Sequence, residues 1–217
     1  MQPLTESLIQ QGLRDRVVTE RQLERVVGGA AARRYGLVNR ALKAEELVRV
    51  RRGLYLLAPR FRTHPTHPFS LAQAIEPGSY ISFETALSHH GWIPERVLVT
   101  ASVVSGRKSS QLDHASLGSF SFHPLALHRS HFLELVVRTR FDDQTALVAT
   151  PLRALMDLVT LRKIEWSRLA WLTEGMRIDL EALHGITRKQ VQVLAAVYKH
   201  RRPNHFLSEL ARELELD

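Results

Sequence analysis

Apolar side chains recur at helical spacing over the first forty-odd residues and then, abruptly, at every second residue. Residues 5–14 place Leu8, Ile9 and Leu13 on one face of a first helix. Thr19 is the expected N-cap of a second helix. Glu20 lies at the favourable end of its dipole, and Gln22 completes a capping box. Leu23, Val26 and Val27 give that helix its apolar stripe, and Gly28-Gly29 ends it. A third helix is expected over about 30–44. Its core stripe is read as Ala31, Tyr35, Val38 and Leu42, spaced 4, 3 and 4. Arg33, Leu37, Arg40 and Ala44 then fall opposite, flanked by Asn39 and Lys43. From Leu47 the period drops to two. Leu47-Val48-Arg49-Val50-Arg51, a turn at Arg52-Gly53, and Leu54-Tyr55-Leu56-Leu57 predict a β-hairpin with arginines on one face and at its tip. Three short helices followed by a basic hairpin predict a winged helix-turn-helix.

Three prolines, Pro59, Pro65 and Pro68, then interrupt the pattern and mark a boundary. Two domains are expected, 1–62 and 68–217. In the second, helices are read over 69–75 and 83–90, with Ser82 as N-cap and Gly91 as the stop of the latter. Strands are read over 97–104, 119–123, 133–140 and 146–150. Helices follow over 151–161, 165–174, 187–199 and 206–214, with Pro151 in a first helical turn. The expected fold class is α+β: a winged helix-turn-helix followed by a mixed α/β domain with a small sheet and C-terminal helices.

Charge sharpens this division. The 217 residues carry 30 Lys and Arg against 22 Asp and Glu, a net of +8. Residues 1–60 hold 12 basic and 6 acidic side chains, so most of the excess sits in the first quarter of the chain. That asymmetry points to an acidic polymer as partner of the N-terminal part. The absence of cysteine excludes a disulfide scaffold, a thiolate metal site and a cysteine nucleophile. No apolar run reaches the roughly 20 residues of a membrane span, and the first residues lack the pattern of a signal peptide. No membrane association and a cytoplasmic location are expected.

Candidate chemistry concentrates on the third helix and the hairpin. A recognition helix needs small residues near its start and long donors that reach base edges and phosphates. Ala30-Ala31-Ala32-Arg33-Arg34 supplies both. Arg33, Arg34, Asn39, Arg40 and Lys43 are the expected DNA-binding residues of the helix. Arg33 and Arg40 suit guanine, and Asn39 suits adenine. Arg49, Arg51 and Arg52 are those of the wing, where phosphate and minor groove lie. Gly36 breaks helix propensity by about 1 kcal/mol, which close backbone approach would justify. His64 and His67 sit among prolines, and the adjacent His89-His90 would point about 100° apart on a helix, so no metal ligand set is read. Asp142-Asp143 are not followed by the acidic-x-Lys pattern of a metal-dependent nuclease. No Gly-x-Ser-x-Gly elbow and no phosphate-cradling glycine loop occurs. No catalytic residue, metal or cofactor is therefore assigned. A nuclease with an unrecognised site is the enzymatic alternative.

Several segments together resemble AbiEi-type antitoxins. They are the run Arg34-Tyr35-Gly36-Leu37-Val38-Asn39-Arg40-Ala41-Leu42, the hairpin 47–57 ending in Ala58-Pro59, the segment Ser82-Phe83-Glu84-Thr85-Ala86-Leu87, and Ala149-Thr150-Pro151-Leu152-Arg153-Ala154-Leu155-Met156-Asp157-Leu158. The resemblance spans about 19–161. Glu45-Glu46, where relatives often carry glycine or a base, departs from it, and the last 50 residues match nothing identifiable. The resemblance implies a type IV toxin–antitoxin system. Its antitoxin represses its own operon by binding double-stranded operator DNA, and its C-terminal domain counters a nucleotidyltransferase-like toxin without a stable complex. The alternative is a transcription regulator whose second domain binds a ligand or dimerises, with no toxin.

Overall fold

A computed structural model describes residues 1–216. It is a mixed α/β protein with two sheets, divided into two compact units, Met1–Ile75 and Glu76–Asp217. The first unit runs α1 (Pro3–Gln10), β1 (Val18–Thr19), α2 (Glu20–Val27), α3 (Ala31–Lys43), β2 (Leu47–Arg51), β3 (Leu54–Leu57) and α4 (Pro68–Ile75). The short β1 and β2 flank β3 in one antiparallel sheet. Thr19 caps α2, its hydroxyl accepting from the Gln22 amide while the Gln22 side chain returns to the Thr19 N–H at 2.8 Å. Gly28 and Gly29 carry φ of 63° and 70°, a left-handed pair that closes α2 cheaply only as glycine. Leu4, Leu8, Leu23, Val38, Ala41, Leu47, Tyr55 and Leu57 form the core between these helices and one face of the sheet.

One expectation for α3 is corrected. Val38 and Ala41 are buried and Leu37 and Leu42 pack against the core, whereas Ala31 is exposed and Tyr35 is 69% exposed. The apolar stripe is thus rotated by roughly 60° from the one read off the spacing. On α3 the aliphatic Leu37, Val38, Ala41 and Leu42 meet the core, and the Tyr35 phenol is left outside. The prolines do not form a free linker. Pro59 opens a 3-10 turn and Pro68 opens α4, which falls within the first unit. Between them the Asp15 carboxylate accepts from the backbone N–H groups of Thr63 and His64 at 2.6 and 3.1 Å. Burial would raise the Asp15 pKa, but these bonds outweigh it and hold the carboxyl below its usual value.

The second unit is built on β4 (Tyr80–Ile81), β5 (Val99–Val104), β6 (Ser110–His114), β7 (Gly118–Pro124), β8 (Val136–Phe141) and β9 (Gln144–Ala149). These form one six-stranded sheet in the order β6-β7-β5-β4-β9-β8. The β4–β9 and β5–β7 pairs are parallel and the others antiparallel. Helices α5 (Phe83–His89), α6 (Pro151–Arg162), α7 (Leu180–His184), α8 (Arg188–Ala195) and α9 (Arg201–Glu213) complete it. The helix expected over 165–174 is absent except for a π-helical turn, Trp171–Gly175. Arg168 takes a φ of 60°, and Trp166 and Trp171 both meet the Phe206 ring edge-on, at 5.0 and 6.0 Å. Five residues apart on a regular helix, the two rings would diverge by about 140° and could not do so. Likewise α8 stops at Ala195, because the chain turns at 196–197 and Tyr198 bridges Leu127: the Val197 carbonyl accepts from His128 N–H, and the Lys199 N–H donates to the Ala126 carbonyl.

Eight consecutive residues of α6, Leu152 to Val159, are buried, and two of them are charged. Arg153 and Asp157 lie one turn apart, both fully buried, with Arg153 Nε donating to Asp157 Oδ1 at 3.0 Å. The other guanidinium nitrogens donate to the Glu134 carbonyl at 2.8 Å, the Phe132 carbonyl at 3.3 Å and the Tyr80 hydroxyl at 2.5 Å. Asp157 also accepts from the hydroxyls of Ser82, Tyr198 and Tyr80 at 2.7, 2.8 and 2.9 Å. Ser82 therefore occupies the N-cap position of α5 without capping it, since its hydroxyl is spent on Asp157. Burial alone would lower the Arg153 pKa, but the Asp157 carboxylate outweighs it and raises it. Burial and the same carboxylate push the phenols of Tyr80 and Tyr198 well up. The network is an ion pair with its hydrogen-bonding groups satisfied, the condition under which buried charge is tolerated.

Candidate nucleic-acid interface

The sequence places eight polar side chains on α3 and the hairpin, and the structure sorts them. Arg33, Arg40 and Lys43 are exposed on α3, and none of their side chains makes a hydrogen bond or ion pair among the described residues. At 100° per residue they surround Gly36 on the side opposite the Val38–Ala41 core stripe. A Cβ at Gly36 would meet only the Arg40 guanidinium, at 3.7 Å, so internal packing does not demand glycine there. Its effect is to lower the surface between the cations, and the helix accepts the propensity cost. Asn39 is half-buried on the flank of this face. Arg40 and Lys43 also sit in the last turn of α3, where cations oppose the helix dipole.

Arg34 is different. Its side chain is 12% exposed, donates to the Gly29 carbonyl at 2.7 Å and pairs with Glu24 at 3.4 Å. It braces the α2–α3 turn instead of joining the outward face. Tyr35, read as core, is the exposed aromatic on that helix's flank, and spacing alone could not have revealed it.

On the hairpin, Arg49, Arg51 and Arg52 are exposed. The side chains of Arg51 and Arg52 make no ion pair or hydrogen bond among the described residues. The pairing shifts register between Arg49 and Arg51, and Val50 between them is buried. The two-residue turn places Gly53 at φ 78°, a conformation glycine adopts without strain. The Gly53 carbonyl accepts from the Glu20 N–H at 3.0 Å, so the tip of the hairpin is fixed to the first residue of α2. Glu45-Glu46 also resolve. Glu45 takes the turn after α3 at φ 53°, and buried Glu46 accepts from the Gln2 N–H at 2.7 Å. The neighbouring Thr5 hydroxyl and the bond from the Gln2 N–H hold the Glu46 pKa below its usual value. Glu46 is thus an anchor for α1 and not a surface acid opposing an anionic ligand.

Elsewhere, Asp142-Asp143 form the exposed two-residue turn between β8 and β9. No group of three His, Asp or Glu side chains is placed to hold a metal ion among the described residues. No helix among them is long and apolar enough to cross a membrane.

No protein-family model and no curated protein matches this chain. A solved structure that does match is the RV2827C protein from Mycobacterium tuberculosis, with a TM-score of 0.58 and 17% sequence identity. The match covers 99% of this chain and 78% of that one, so the two share a fold over nearly the whole chain.

Proposed function

We propose that the first unit is a winged helix-turn-helix that binds double-stranded DNA, with α3 in the major groove and the β2–β3 hairpin as the wing. The observation that carries this reading is the set of exposed cations whose side chains have no partner among the described residues: Arg33, Arg40 and Lys43 around Gly36, and Arg51 and Arg52 on a hairpin tip tied to α2. Phosphate oxygens and guanine edges are the complementary acceptors, and a glycine between cations lets a backbone come close. Arg33, Arg40 and Asn39 are assigned to base edges. Lys43, Arg49, Arg51 and Arg52 are assigned to phosphate or minor groove, and Arg34 to bracing the helix.

The resemblance to AbiEi-type antitoxins extends the proposal. The chain is then the antitoxin and autorepressor of a type IV toxin–antitoxin operon. Its second unit counters a nucleotidyltransferase-like toxin without holding it in a stable complex. Two experiments test the two halves. Selection of bound duplexes from a random pool by the full chain should converge on one sequence motif, and a pool that stays random would overturn sequence-specific binding. Co-expression with a neighbouring nucleotidyltransferase should restore growth, and persistent toxicity would remove the antitoxin half while leaving the DNA-binding half standing.

A further inference from the structure

Within the second unit, residues 124–128 leave β7 and run beside 197–199, bridged at Leu127 and Tyr198. A cavity lies on either side of this ridge, about 560 Å³ on one and about 500 Å³ on the other, and Leu125 and Ala126 line both. The larger is floored by Val159, Leu161 and Pro203 and rimmed by Lys163, His200 and Arg202. The smaller has Leu127 and Phe132 on its wall, with Arg129 and Lys199 beside them. Five basic side chains and no acidic one line the pair. Residues 76–217 as a whole hold 17 Lys and Arg against 16 Asp and Glu, so the cleft concentrates one sign of charge in a nearly neutral unit.

These cations are exposed, and the protein itself holds them weakly or not at all. Lys163, Lys199 and Arg129 make no side-chain hydrogen bond or ion pair among the described residues. Arg202 pairs only loosely, at 3.8 Å, with Glu165, which is 82% exposed. Lys163 ends α6 at φ 57°, a left-handed position that favours glycine or asparagine, yet a lysine stands there with its side chain at the cavity. The first turn of the thirteen-residue α9 lines the same cavity and adds the positive end of its dipole.

We propose that the larger cavity binds a nucleotide: phosphates on Lys163, His200 and Arg202, and the base against the apolar floor of Val159, Leu161 and Pro203. Its volume falls in the range of small-molecule sites, and it offers an apolar compartment beneath a cationic rim. Free phosphate would leave the apolar compartment unused, and an uncharged ring compound would leave the cations unpaired. The assignment is independent of the DNA-binding reading of the first unit.

The test uses the full chain and mant-labelled ATP followed by fluorescence anisotropy. Unlabelled ATP should displace the probe, while adenosine and inorganic phosphate should each compete at least tenfold more weakly. Arg202→Ala and Lys163→Gly should each weaken binding by about tenfold, since each removes a charge-assisted contact. Glycine at 163 suits the left-handed backbone, so this variant keeps its fold. Arg33→Ala with Arg40→Ala should leave nucleotide affinity unchanged. Absence of displaceable binding at millimolar ATP would overturn the proposal. So would phosphate competing as well as ATP, or affinity that survives Arg202→Ala and Lys163→Gly but falls in the Arg33→Ala, Arg40→Ala variant.

Discussion

In the first unit Arg33, Arg40, Arg51 and Arg52 stand exposed with no partner among the described residues, whereas in the second Arg153 is fully buried and each of its nitrogens donates within hydrogen-bond distance. Guanidinium is the same group in both places, and its surroundings decide its role. A buried arginine must have every charge and donor answered from inside, so Arg153 is spent on holding α6 against Tyr80, Tyr198 and the chain at 132–134. A surface arginine left unanswered keeps its full donor set for an outside acceptor. Arg34 shows the intermediate case, an α3 arginine held by Glu24 and the Gly29 carbonyl.

The comparison breaks most visibly at Asp157. Asp157→Ala removes four acceptor contacts and leaves Arg153 charged and buried, so it should cost about 3–5 kcal/mol of stability, measured by urea unfolding. The pair Arg153→Met with Asp157→Leu should cost less than Asp157→Ala alone, because no charge is stranded. Equal or greater loss in the double variant would show that the network contributes more than the relief of its own desolvation.

Arg34 gives a smaller and more discriminating effect. Arg34→Ala should lower thermal stability, by about 1 kcal/mol for the lost bonds, while leaving the ratio of operator to random DNA affinity as it was. A changed ratio would move Arg34 back among the base readers.

The smallest effect separates the units by pH. Burial first, and the neighbouring His90 for His89, hold the pKa values of His89 and His123 below the ordinary value of 6.5, with Glu84 partly opposing the shift at His123. Their neutral forms are favoured in the fold. The resulting stability is therefore complete above pH 6.5 and is lost as the pH falls from there through the folded values. Asp15 in the first unit acts lower, since its depressed carboxyl loses its contribution only as the pH falls below the ordinary aspartate value of 3.8. Melting followed between pH 7 and 5 should thus show a slope that His89→Gln with His123→Gln flattens and Asp15→Asn does not.

Local signals were read well where a few residues decide the outcome. The Thr19–Gln22 box, the Gly28-Gly29 stop and the Arg52-Gly53 turn all follow from backbone chemistry within four residues. The rotation of α3 was not legible, because Tyr35 and Leu37 are both acceptable core residues and only the shape of the assembled core chooses between them. Nor were Arg153 and Asp157, whose partners lie 73 to 77 residues away at Tyr80 and Ser82 and 41 away at Tyr198. An Arg and an Asp four apart on a helix read as a solvated surface pair until the sheet and the 197–199 segment close over them. The strands Tyr80–Ile81 and Ser110–His114 escaped notice for a related reason. The first is two residues long, and the second is an edge strand with mainly polar, exposed positions.

The central claim is that α3 reads bases and the hairpin holds phosphate. Fluorescence anisotropy of the full chain, on selected and random duplexes across a series of salt concentrations, tests it directly. Arg33→Ala and Arg40→Ala should each narrow the gap between the two duplexes by about 1–3 kcal/mol. Arg51→Ala and Arg52→Ala should weaken both duplexes alike and reduce the slope of log K against log salt by about 0.9 per lost phosphate contact. If the hairpin variants alone changed specificity while the helix variants changed only the slope, the two roles would be reversed. If none of the four altered binding, the winged-helix reading would be contradicted.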